Sequence, residues 1–199
     1  MKKNGYKTAV LAVDLMKNHT MEGGSNYYPT AGEMMPRVAE SIDRMRDAGA
    51  LIIYIWTKKN FSSGLTGAGP AVNPELAGRV MPVDEGERLE LDDRLKVVMG
   101  RDIVLAKFAY SAFWGTPLLE ILQQNGVENV LVCGIKTNVC CRATAVDAAG
   151  HCYKAFMLED MTSTNDNETK KFHLDEINRY FAKVIDSEEA VKRLEENIF

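Results

Sequence analysis

Short runs of consecutive apolar residues recur along the chain. They are Thr8-Ala9-Val10-Leu11-Ala12-Val13, Leu51-Ile52-Ile53-Tyr54-Ile55-Trp56, Ile103-Val104-Leu105-Ala106, Val130-Leu131-Val132 and Tyr153-Lys154-Ala155-Phe156-Met157-Leu158, with a weaker sixth at Phe181-Ala182-Lys183-Val184-Ile185. Runs of this kind, without strict alternation, suit strands covered on both faces, as in parallel sheets. Helical spacing fills the intervals. Met35, Val38, Ile42 and Met45 share one face of a helix predicted from Met34 to Ala48, with Gly49 as its stop. Thr116-Pro117 supplies a cap and a first-turn proline for a helix ending at Gly126. A further helix is expected from Asn138 to Ala149, ending at Gly150. Asn165 to Glu168 reads as a capping box opening a helix to about Tyr180, and Ser187 as the cap of a last helix through Leu194.

Strand and helix alternate, which predicts an α/β layered fold with right-handed crossovers. One segment breaks the rhythm. Lys58 to Arg101 is rich in turn residues, among them Gly67-Ala68-Gly69-Pro70, Asn73-Pro74 and Met81-Pro82. It reads as one long loop-rich excursion (58–101) with a short helix near Pro74 to Gly78, inside a single domain spanning 1–199.

Composition narrows the class. Apolar residues make up 46% and charged residues 26% of 199 positions, as in an ordinary globular protein. The net charge of −4, with no basic stripe, gives no electrostatic reason to expect nucleic acid. The basic start Met1 to Lys7 is followed only by Thr8 to Val13, too short for the apolar region of a signal peptide. No run reaches the ~18 apolar residues of a membrane span. A cytoplasmic location is the expectation. Cys133, Cys140, Cys141 and Cys152 lack zinc-finger spacing and read as reduced thiols, with Cys133 and Cys152 in the core.

The chemistry is concentrated after Asn129-Val130-Leu131-Val132-Cys133. There Gly134-Ile135-Lys136-Thr137-Asn138-Val139-Cys140 predicts a strand, a tight turn and a helix start, with one thiol at the helix N-terminus. Unpaired N–H groups and the helix dipole favour thiolate there, and the same amides suit an oxyanion. Asp14 and Lys107 each follow another strand, and the carboxyl ends of parallel strands are where such a sheet gathers its site. Singly, each residue has a plainer reading. Cys140 fits a small buried hydrophobe, Asp14 a turn or cap aspartate, and Lys107 a solvated strand end.

Taken together these segments resemble the isochorismatase-like cysteine hydrolase family over nearly the whole chain. The resemblance rests on Ala12-Val13-Asp14, on Lys107-x-x-Tyr110-Ser111-Ala112-Phe113-x-Gly115-Thr116-Pro117-Leu118, and on Gly134-x-x-Thr137-Asn138-x-Cys140 followed by Ala143-Thr144-Ala145-x-Asp147-Ala148. It implies a six-stranded parallel sheet of order 3-2-1-4-5-6 flanked by helices. It also implies Cys140 as nucleophile, Asp14 as base and Lys107 as third member. A non-proline cis peptide is implied at Ile135-Lys136, turning the amide of Lys136 beside that of Cys140. Family members are commonly dimers or tetramers, so a homo-oligomer is the expectation.

The chain departs from its relatives' pattern in places. Met16-Lys17-Asn18-His19 follows the aspartate where many members have Gln-Asn-Asp-Phe, and Cys141 stands where most have valine. Trp56-Thr57-Lys58-Lys59-Asn60-Phe61-Ser62 lacks the aspartate and histidines that nicotinamidases use for a metal, so neither a metal nor another cofactor is expected. The predicted activity is cysteine-dependent hydrolysis of a C–N bond in a small carboxamide, carbamoyl or ureido compound. Vinyl ether hydrolysis of the isochorismatase type, and a non-catalytic thiol-bearing role on the same fold, stand as alternatives. Trp56, Tyr110, Phe113 and Trp114 are candidate walls of the substrate pocket. Lys136 is the best-placed cation for a substrate carboxylate, and His19, His151 and His173 show no ligand spacing.

Overall fold

The computed structural model describes residues 6–57 and 90–199. Six parallel strands form one sheet: β1 (Thr8–Val13), β2 (Leu51–Thr57), β3 (Ile103–Lys107), β4 (Asn129–Ile135), β5 (Lys154–Ser163) and β6 (Lys183–Ile185). Their order is β3-β2-β1-β4-β5-β6, as the resemblance implied. The described helices are α1 (Lys17–Thr20), α2 (Pro29–Asp47), α3 (Leu118–Gln124), α4 (Arg142–Gly150), α5 (Asn167–Tyr180) and α6 (Ser187–Glu195).

The apolar runs of the central strands β1, β2 and β4 are buried on both faces because each face carries its own layer, while the edge strands β3 and β6 keep Val104 and Lys183 exposed. Ala9, Leu11 and Val13 of β1 pack with Leu118 and Leu122 of α3, Ala145 and Ala148 of α4, and Leu174 and Ile177 of α5. Val10 and Ala12 pack the other way, with Met35, Val38, Ile42 and Met45 of α2 and Ala190 and Val191 of α6. Each fully buried aliphatic side chain contributes ~1.5–3 kcal/mol.

Several boundaries differ from those the pattern predicts. Helix α2 begins at Pro29 and runs through Pro36. The proline ring removes the N–H that would bond the Gly32 carbonyl, and Arg94 Nη1 donates to that carbonyl instead at 3.2 Å. The caps of α5 and α6 are Asp166 and Asp186, whose carboxylates accept from Thr169 N and Glu189 N. These extended residues stand one place from the expected caps, and Ser187 instead donates its hydroxyl to Asp160. Strand β5 runs on to Ser163 through an irregularity that pairs Val132 with Met157 but Gly134 with Thr162.

The predicted helix near Pro74 to Gly78 lies outside the described residues. The end of the excursion is described, and it is tied down. Leu91 pairs with Met16, Lys17 N donates to Glu90 O, and the buried Asp92 accepts from Thr20 and pairs with Arg94. Among the described residues no helix is long and apolar enough to cross a membrane.

Candidate active site

The carboxyl ends of β1, β2, β3 and β4 meet at one point. Asp14 follows β1 directly, with its N–H donated to Ile55 O of β2 at 2.7 Å. Strict alternation would send Asp14 to the α2 face, alongside Val10 and Ala12. Its φ of 53° breaks the alternation. This left-handed conformation is one that aspartate tolerates better than most residues. The side chain therefore joins the face of Val13, where Ile55 and Leu105 lie and where the next residues in phase are Thr57 and Lys107.

Lys107 is buried to 1% exposure, and its ammonium is fully used. Nζ lies 2.8 Å from Asp14 Oδ2, 2.6 Å from Thr57 Oγ1, 3.1 Å from Ala109 O and 3.4 Å from Cys140 Sγ. Thr57 Oγ1 donates to Asp14 Oδ1 at 2.7 Å. The fourth member comes from the turn after β4. Gly134 has φ 115°, and a Cβ there would stand 2.0 Å from Val13 O. Only glycine lets β4 pass this close to the end of β1. The Ile135-Lys136 peptide is cis. A π-helical turn, Thr137–Cys141, then carries Cys140 to the carboxylate before α4 begins. The expected plain α-helix start is thus a widened turn, a feature common at functional sites.

The sequence predicts a thiol favoured as thiolate by a helix N-terminus, and the structure corrects this. Burial pushes the Cys140 thiol up to about 12, and Asp14 adds to the effect while Lys107 opposes it. Burial pulls the Lys107 ammonium down, but Asp14 and Cys140 outweigh it and leave it above its ordinary value. The resting site therefore holds an Asp14–Lys107 ion pair beside a neutral thiol.

The other candidates divide. Trp56 is the half-buried penultimate residue of β2, one step from Thr57. Tyr110 and Trp114 are exposed on the loop after β3. Phe113 is in the core instead of a pocket wall, its ring against His151 at 5.2 Å and Tyr153 at 6.4 Å. Those partners stand at the far end of α4 and just before β5, so Phe113 points away from the carboxyl ends of the strands. Cys141 and Cys133 are buried, but Cys152 is exposed. Its φ of 64°, in the turn leaving α4, places it at the surface and not in the core. Lys136 donates to Asn165 Oδ1 at 2.5 Å and lies 5.2 Å above the Tyr28 ring.

Thr57 is the member that sequence reasoning missed. Its only signal in the sequence is a hydroxyl directly after the apolar run that ends at Trp56. Among the described residues no group of three His, Cys, Asp or Glu side chains is placed to hold a metal ion. Lys58 to Ser62 lies outside the described residues.

Residues 8–189 match the isochorismatase domain model. This chain belongs to the isochorismatase family. Among its family relatives, the maleamate amidohydrolase of Pseudomonas putida is 26% identical over 96% of this chain and 88% of its own length. The ureidoacrylate amidohydrolase RutB of Azorhizobium caulinodans is 31% identical over 78% of this chain and 76% of its own length. In three dimensions the N-carbamoylsarcosine amidase from Thermoplasma acidophilum superposes with a TM-score of 0.74 at 26% identity, covering 91% of this chain and 96% of that one.

Proposed function

We propose that this chain, a hydrolase, cleaves the C–N bond of a small carboxamide, carbamoyl or ureido compound through a thioester on Cys140. The observation that carries the reading is the meeting of Asp14, Lys107 and Cys140, with Lys107 Nζ 2.8 Å from the carboxylate and 3.4 Å from the thiol. The names of the relatives, all amide-cleaving, point to the same bond.

The thiol starts neutral, so its proton must leave as the Sγ–C bond forms. Asp14 takes that proton, and Lys107 holds the carboxylate in place while its charge offsets the developing thiolate. Backbone N–H groups of Lys136 and Cys140 receive the oxyanion, each worth ~3 kcal/mol in the transition state. Collapse expels ammonia or an amine, which takes the proton from Asp14. Water then gives a proton to Asp14 and its oxygen to the acyl carbon. The acid product departs and the proton returns to Sγ.

The test is ammonia or amine release across a panel of carboxamides, carbamoyl and ureido compounds, with wild type beside Cys140→Ala. Turnover that vanishes in a folded Cys140→Ala protein is the expected result. Ammonia or amine release that survives in Cys140→Ala but not in Asp14→Asn rules out the thioester, and no release from any member of the panel rules against the amide reading and points to vinyl ether chemistry.

A further inference from the structure

We propose that Thr57 is a positioning residue for the thiol's proton transfer, the hydroxyl that fixes which lone pair of Asp14 remains open to Cys140. The inference rests on the reading of Asp14 as the base for Cys140.

The polarity of the hydrogen bonds leaves no choice. An ammonium only donates, so Thr57 Oγ1 must accept from Lys107 Nζ at 2.6 Å. The single Thr57 proton is then directed to Asp14 Oδ1 at 2.7 Å. Lys107 occupies the other carboxylate oxygen, Oδ2, at 2.8 Å. Its remaining hydrogen goes to Ala109 O at 3.1 Å, so the 3.4 Å approach to Cys140 Sγ is left without a full hydrogen bond. Each carboxylate oxygen thus receives one donor from the side of β2 and β3. The carboxylate is held against rotation, with its unoccupied acceptor positions left for the π-turn that carries Cys140.

The register of the sheet builds this arrangement. Thr57 and Lys107 are paired residues at the ends of β2 and β3, so their side chains leave the same face side by side. Without the Thr57 hydroxyl, an ammonium hydrogen of Lys107 loses its acceptor in a buried site. The acceptors then open to it are Asp14 Oδ1, stripped of its Thr57 donor, and Cys140 Sγ at 3.4 Å. An ammonium that chelates both oxygens competes with the thiol for the carboxylate, and proton transfer slows.

The test needs no substrate. The rate of Cys140 alkylation by iodoacetamide near neutral pH is followed by mass spectrometry of the Cys140 peptide, which separates it from the exposed Cys152. Thr57→Val keeps the branched shape without the hydroxyl, and Thr57→Ser keeps the hydroxyl without the methyl. Thr57→Val and Asp14→Asn are both expected to slow alkylation ~10–100-fold, while Thr57→Ser stays within about threefold of wild type. Thr57→Ala, expected to match Thr57→Val, serves if the valine protein does not fold. Alkylation at or above the wild-type rate in Thr57→Val, with Asp14→Asn slow, overturns the proposal. So does a Thr57→Ser protein as slow as Thr57→Val, which would make the methyl packing the cause. A wild-type rate in Asp14→Asn is a different failure, that of Asp14 as the base.

Discussion

Replacing Lys107 by methionine should be among the most damaging single changes in the protein. Methionine keeps an unbranched stem of similar size, so little packing volume is lost. What goes is the charge, in a pair whose side chains are 1% and 4% exposed. At the 2.8 Å separation a unit-charge pair is worth ~6 kcal/mol at an effective dielectric of ~20. Part of that offsets the cost of having desolvated both ions, so removing one partner costs ~3–5 kcal/mol. A domain has only ~5–15 kcal/mol in total. Urea unfolding at neutral pH, followed by tryptophan fluorescence, should show the midpoint falling by ~1–2 M with a slope near ~3 kcal/mol/M. The decisive companion is Asp14→Asn with Lys107→Met, which removes both charges. The double variant should be more stable than the sum of the single losses allows, by at least ~1 kcal/mol. A loss below ~1 kcal/mol in Lys107→Met, or simple additivity in the double variant, would refute the buried pair as a coupled unit.

Three further outcomes are expected. Gly134→Ala would place a Cβ against Val13 O in a backbone conformation with φ 115°. The cost should be ~3 kcal/mol, read as a melting temperature ~6–12 °C lower, and an unchanged melt would contradict the close approach. Cys133 and Cys140 both have pKa values raised by burial to about 12 from 9.0. A raised folded-state value means that their contribution is complete below pH 9 and is lost as pH climbs toward 12. Denaturant stability should therefore decline across that window, less steeply in Cys140→Ala, and an identical decline in both proteins would exclude Cys140 from it. In native protein treated with a disulfide reagent, Cys152 should react first, while the buried Cys133 and Cys141 stay unreacted until unfolding. A fast second site at Cys141 would show that α4 opens.

Which elements form was legible in the chain. The apolar runs are long enough and uniform enough that only a sheet covered on both faces can bury them, and the helical stretches between them carry single apolar faces. Gly134 and the carboxyl-end positions of Asp14, Lys107 and Cys140 were visible for the same reason, since strand ends follow from where apolar runs stop. Local pattern could not give the things set by contact across the fold. Thr57 looks like any β-branched strand residue until Lys107 is paired beside it. Asp14 stands on the wrong face by alternation, and only its left-handed backbone, bonded to Ile55, returns it to the site. Phe113 lies in the core and not at a pocket wall, and Cys152 at the surface and not in the core, because a loop and a helix turn, not hydrophobicity, decided which way they face. The raised pKa of Cys140 belongs to the same class. A helix start can be read from spacing, whereas desolvation depends on how many other segments close over the thiol.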